Sequence, residues 1–129
     1  MILLDTHVWI WLHAGDPRLP SDAALRIADE SEEVLLSTVS LWETMVALQK
    51  GRLVSALSPE ETVRVWARTV PFEIVPLGVE EAIVSRTLTM AHEDPGDRFL
   101  AATAVTRGAA LMTGDARLLA LPWLPTIRV

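Results

Sequence analysis

Very short apolar runs alternate along this chain with segments of helical character, and few folds accept that alternation. The runs are ILL at 2–4, VLLS at 34–37, a strand within FEIVPL at 72–77, AALMT at 109–113 and PTIRV at 125–129. They are too short for helices and apolar enough to be buried on both faces. Between them THVWIWLHAG reads as a helix that stops near Gly15 and Pro17. Ser21 and Asp22 offer caps for a second helix, DAALRIADES. Ser40 starts a third that runs through Lys50 and closes at Gly51. Ser58-Pro59-Glu60-Glu61 combines a Ser cap, a Pro in the first turn and a Glu at the capping-box position, for a helix running to about Thr69. VEEAIVSRTLTMA is a further helix, and the DPGD turn feeds a helix over 97–107 that Gly108 stops. Parallel βαβ units follow, giving an α/β fold of three layers: a mainly parallel sheet of four or five strands with helices on both faces.

The 129 residues suffice for one domain, read here as 1–129, and half of them are hydrophobic, which excludes disorder. Apolar runs are broken by Pro, Gly or charge, so no membrane-spanning helix is expected, and MILLDTHVW has neither the basic leader nor the cleavage site of a signal peptide. Without cysteine there is no disulfide framework and no thiol chemistry; a cytoplasmic location is expected. The net charge of −6 is unlike that of a general nucleic-acid binder. Any contact to phosphate must then be local, from residues such as Arg52, Arg86, Arg98 and Arg107. The same charge suits a basic protein partner.

Four isolated acids stand at the edges or inside of these apolar segments. Asp5 ends the first strand, Glu43 interrupts VSLWETMVAL, Asp97 precedes RFLAATAV, and Asp115 follows AALMTG. A lone carboxylate in such a place is costly without a cation. Lys50 is the only lysine, and most arginines lie in polar stretches. A shared divalent metal accounts for all four, since hard cations take oxygen ligands. In parallel sheets ligands bind beyond the carboxyl ends of the strands, where Asp5 and Asp115 fall, and the helix starts that carry Glu43 and Asp97 can face the same rim.

Each motif also has a plainer reading. Asp5 serves equally as a cap for the helix after it. Asp97 in a first turn is favoured by the helix dipole alone, Asp94 before Pro95 initiates a turn, and Thr113-Gly114-Asp115 is also an ordinary strand exit. Glu43 is the sharpest of the set, because Val39, Ser40, Val46 and Ala47, its helical neighbours, offer no charge to pair with. Trp42, beside Glu43, is expected in the core rather than as a platform on which a nucleobase stacks. His7, His13 and His92 have no zinc spacing and are expected to be structural or to contact substrate. A phosphoaspartate phosphatase would need a second Asp where His7 stands, and a receiver domain would need paired N-terminal acids and a late lysine.

LLDTHVWIW at 3–11, STVSLWETMVALQKGRL at 37–53, HEDPGDRFLAATAV at 92–105 and LMTGDARLLA at 111–120 together resemble the PIN domain, and more narrowly the VapC toxins of VapBC toxin–antitoxin pairs. The motifs come in the family's order and span nearly the whole chain. The resemblance implies a metal-dependent endoribonuclease that uses Mg²⁺ or Mn²⁺. Its acidic quartet falls on Asp5, Glu43, Asp97 and Asp115, its supporting hydroxyls on Thr6, Ser37 and Thr113, and Asp94 stands beside the third acid. Some relatives carry a lysine where this chain has Ala47. A metal-activated water would attack the phosphorus in line, leaving a 5′-phosphate and a 3′-hydroxyl. The partners implied are an RNA substrate, a small VapB-like antitoxin and a second copy of the chain. Two other readings stay open: a non-catalytic PIN-like module that binds RNA or protein, and a metal-dependent DNA nuclease.

Overall fold

The computed structural model describes residues 1–69 and 72–129. Five strands form one sheet: β1 (Ile2–Leu4), β2 (Val34–Ser37), β3 (Glu73–Val75), β4 (Ala110–Thr113) and β5 (Thr126–Arg128). All neighbours are parallel, in the order β3-β2-β1-β4-β5. The helices are α1 (Thr6–Ala14), α2 (Ser21–Ala28), α3 (Thr38–Gln49), α4 (Pro59–Thr69), α5 (Val79–Ser85), α6 (Pro95–Arg107) and α7 (Ala116–Leu119).

The pleat sorts the strand residues between two cores. Ile2, Leu4, Val34, Leu36 and Met112 point to one face, under Val8 and Trp9 of α1, Ala23 and Ile27 of α2, and Val63 of α4. Leu3, Leu35, Val75 and Leu111 point to the other, under Leu100, Ala101 and Ala104 of α6 and Leu118 of α7. This period-two division is why β1, β2 and β4 read as continuous apolar runs: both faces are covered, whereas the edge strands β3 and β5 stay partly exposed. Trp9 is fully buried, and its truncation to Ala would cost about 3–5 kcal/mol.

Several helix starts differ from expectation. Pro20 is the N-cap residue of α2, so Ser21 is already helical, and no side chain caps that end. The third helix begins at Thr38, because the Ser37 hydroxyl accepts from Val39 N; Ser40 lies one turn in. The sixth begins at Pro95 rather than 97, since Asp94 caps it by accepting from Asp97 N. The fifth helix ends at Ser85, short of the expected reach, and α7 was not anticipated. Ser58 does cap α4, accepting from Glu61 N. No helix among the described residues is long and apolar enough to cross a membrane.

Candidate active site

The chain reverses its direction of strand addition at β1, which has β2 on one side and β4 on the other. A crevice opens beyond the carboxyl ends of strands at such a switch point. Leu4 lies opposite Met112 in the β1–β4 register, so the next residues out, Asp5 and Thr113, meet at the rim. The Thr113 hydroxyl donates to Asp5 Oδ2 at 2.6 Å, and Thr6 N donates to Oδ1 at 2.7 Å. Both oxygens of this buried carboxylate are therefore oriented, and a hydrogen bond to a charged group is worth about 1.5–3 kcal/mol net. His7 closes the same corner: its Nε2 accepts from Gly114 N at 3.0 Å, which places its ring proton on Nδ1, 3.4 Å from Asp5 Oδ2.

Glu43 reaches this rim from the second turn of α3. The Thr6 hydroxyl donates to its Oε1 at 2.7 Å and lies 2.9 Å from the Ser40 hydroxyl. Its other face rests on the start of α6. A Cβ added to Gly96 would fall 2.8 Å from Glu43 Oε2, so a larger residue there would push the carboxylate from its present position. Burial raises the Glu43 pKa, with Asp5 and Asp94 adding to the rise and the Thr6 hydrogen bond opposing it.

Asp97 carries the largest perturbation at the rim. Burial, then the charges of Asp94, Asp5 and Asp115, push its carboxyl up to about 7, with Arg117 pulling the other way. Arg117 Nη2 stands 3.2 Å from both Asp97 Oδ2 and Asp115 Oδ2. Asp115 caps α7 by accepting from Arg117 N. Burial raises its pKa, but hydrogen bonds and charge from Arg117 outweigh that and leave it lowered. His92 Nε2 lies 3.3 Å from Asp97 Oδ2, near enough for charge interaction but without the alignment of a hydrogen bond.

Asp5, Glu43, Asp94, Asp97 and Asp115 are thus electrostatic neighbours on one rim. Thr6 and Thr113 hold them, while the Ser37 hydroxyl is spent capping α3. Arg117, Ser40 and Gly96 also belong to the rim, a place the sequence did not suggest for them. The i, i+3 step from Ser40 to Glu43 was the available sign for Ser40, and Arg117 two residues after Asp115 was the sign for the arginine.

Other expectations need correction. Trp42 is not in the core; it is 67% exposed. Arg98 is no phosphate contact. It is buried and donates to the carbonyls of Ser85 and Met90, locking the 85–93 segment onto α6. Arg86 is paired with Glu93 and Arg107 with Glu81, which leaves Arg52 of the four proposed.

Donor chemistry at the rim suits a hard divalent cation: the acidic donors are all oxygens, and two carboxylates are destabilised in their charged form by burial and by one another. Among the described residues no three acidic or histidine side chains gather tightly enough to hold an ion as they stand. Arg117 instead draws Asp97 and Asp115 onto itself.

Comparison with known proteins agrees with this architecture. Ribonuclease VapC22 of Mycobacterium tuberculosis is 28% identical over 120 residues, covering 91% of this chain and 88% of that protein. A toxin–antitoxin complex from Klebsiella pneumoniae superposes with a TM-score of 0.70 at 20% identity, over 98% of this chain and 96% of that one. VapBC2 from Rickettsia felis, bound to a DNA fragment from its promoter, gives 0.69 at 15% identity, over 99% and 98% of the two chains. These two likenesses speak for the fold. The PIN domain family model matches residues 2–124, and so the chain belongs to the PIN-domain family.

Proposed function

We infer that this chain is a metal-dependent endoribonuclease, the toxin of a toxin–antitoxin pair, with residues 1–129 acting as a single nuclease domain. The observation that carries the reading is the cluster of mutually repelling carboxylates at the sheet's switch point, with Asp97 pushed up to about 7. Perturbation by burial and like charge in a crevice is characteristic of working sites. The relative named a ribonuclease and the neighbours solved as toxin–antitoxin complexes support the substrate class and a VapB-like partner. Exposed Val79 and Ile83 on α5, with Val105 on the adjoining α6, support self-association as a homodimer. A cytoplasmic location is in keeping with the partner and the substrate.

Asp5, Glu43, Asp97 and Asp115 would hold Mg²⁺ or Mn²⁺, with Asp94 at the margin. When bound, the ion lowers the pKa of a water and offsets charge that develops on the phosphate. The chain's own part is orientation. Thr6 and Thr113 fix Asp5, and Thr6 with Gly96 fixes where Glu43 can sit. Arg117 is exposed and two residues beyond Asp115, so it can release the carboxylates to the cation and turn its guanidinium to a phosphate oxygen. In-line displacement leaves a 5′-phosphate and a 3′-hydroxyl.

The test is cleavage of single-stranded RNA with Mg²⁺, Mn²⁺ or EDTA, with single-stranded DNA in parallel. Cleavage of RNA that EDTA abolishes is expected. RNA binding without cleavage would favour a non-catalytic module, and faster cleavage of DNA would favour the DNA nuclease.

A further inference from the structure

A groove of about 560 Å³ opens directly from the acidic rim. That volume falls in the range of about 300–1,000 Å³ typical of ligand pockets. One wall is a single stripe of α3: Val39, Trp42, Glu43, Val46 and Ala47, at spacings of three and four. The start of α6 faces it, with Pro95, Gly96 and Phe99, and Arg52 lies at the edge.

Helix α3 is apolar on two sides. Leu41, Met45 and Leu48 pack into the core beneath α1 and α4. The groove stripe is the second apolar side, and nothing in the described chain covers its Trp42, which leaves two thirds of its surface open. An exposed indole beside apolar walls is a stacking platform for a planar ring. Charge narrows the occupant. Glu43 and Asp94 line this groove as well as the rim, so whatever fills it abuts the bond that the acids would act on. Arg52 forms no salt bridge among the described residues and is available to a phosphate.

We propose that this groove is a nucleotide subsite: the unpaired base flanking the scissile phosphate enters between α3 and α6 and stacks on Trp42, with Arg52 contacting the backbone beyond it. The assignment rests on the ribonuclease reading above and adds to it a residue that selects the substrate. Single-stranded RNA is the class that fits, because only an unstacked base can offer its face to Trp42 while its phosphate stays at the rim. Stacking on Trp42 would favour large bases over small ones by contact area.

The experiment uses the full chain and a short single-stranded RNA containing one preferred cut, with abasic ribose placed in turn on each side of that cut. Trp42→Ala should raise KM about 10-fold while kcat stays within about threefold, and Trp42→Phe should recover most of the loss. Abasic ribose at one flanking position should raise the wild-type KM by a similar factor and leave Trp42→Ala unchanged. Circular dichroism checks that the variants fold; Trp42 is too exposed for the substitution to disturb the core. An unchanged KM and cut-site profile in a folded Trp42→Ala would overturn the subsite and leave the groove to a protein partner, with the ribonuclease reading intact. Equal abasic penalties in wild type and variant would overturn it too. If wild type cuts no RNA, both readings fall together.

Discussion

The two ends of α1 both hold titratable groups away from water, and they do so with opposite chemistry. At its start Asp5 caps the helix and joins a rim where carboxylates raise one another's pKa. At its last turn His13 stacks on Trp66 with ring centroids 5.2 Å apart and meets the edges of Trp9 and Phe72. A helix carboxyl end favours a cation, yet burial lowers the His13 pKa to about 4 and keeps it neutral. The packing end spends its burial on rings and excludes charge. The acidic end retains charge that its own residues offset only in part, and such local instability is expected where a cation is to bind.

The sharpest way to break this contrast is Asp97→Asn. It should lower metal-dependent cleavage by about 100-fold or more while the protein stays folded. In EDTA at pH 7.5 it should raise Tm by a few degrees, about 2–5 °C, since it removes a carboxylate whose charge the fold resists. The folded pKa of Asp97 lies above its ordinary value, so the native state binds more protons between roughly pH 4 and 7. Stability from this group is present at low pH and is lost as pH rises through about 7. A thermal melt series from pH 4 to 8 reads the limb directly, and Asp97→Asn should flatten it. Joint loss of folding and activity would make Asp97 structural and end the contrast.

Arg117→Ala sharpens the comparison from the other side. Removing the guanidinium that spans Asp97 and Asp115 should tighten Mg²⁺ binding about three- to tenfold by calorimetry and lower Tm only slightly in EDTA, because solvent screens so exposed a cation. Weaker Mg²⁺ binding would show that Arg117 orders the site for the ion and does not compete with it.

The smallest effect belongs to the aromatic end. The His13 pKa is below that of the unfolded chain, so the unfolded state binds the extra proton between roughly pH 6.5 and 4. Stability should fall as pH drops through that window, opposite in sign to the Asp97 limb. His13→Leu should remove about 1–3 °C of that loss, a value held low because the ring is only half-buried. A melt series in which His13→Leu and wild type fall in parallel would place the acid sensitivity elsewhere.

Every strand and most helices were legible in the sequence because their signals are local. The apolarity of β1, β2 and β4 follows from burial on both faces, and the Ser58-Pro59 start and Gly51 and Gly108 exits follow from backbone chemistry near each residue. The misplaced helix starts were competitions between nearby caps: Ser37 and Asp94 each lie before the residue expected to begin the helix, and their side chains reach forward to the backbone. Each of the four acids was visible as a lone charge in apolar surroundings. A shared rim was expected from their strand-end and helix-start positions, but how the acids and their hydroxyl partners meet there was not legible, since that requires knowing which strands are neighbours.

By itself, then, the sequence determined the α/β class, the one-rim logic of residues after β1 and β4, and the family through four motifs in order. The tertiary structure alone decided the strand order that places β1 beside β4, and with it the Thr113–Asp5 hydrogen bond across 108 residues of chain. It also decided that Arg98 is a buried strut, that Arg117 spans two acids, and that Trp42 faces a groove. The reason is physical. Propensity and capping act within a few residues, whereas burial and charge pairing depend on what the rest of the chain brings alongside. An apolar helix such as α3 carries no mark of which of its two apolar sides the fold will cover.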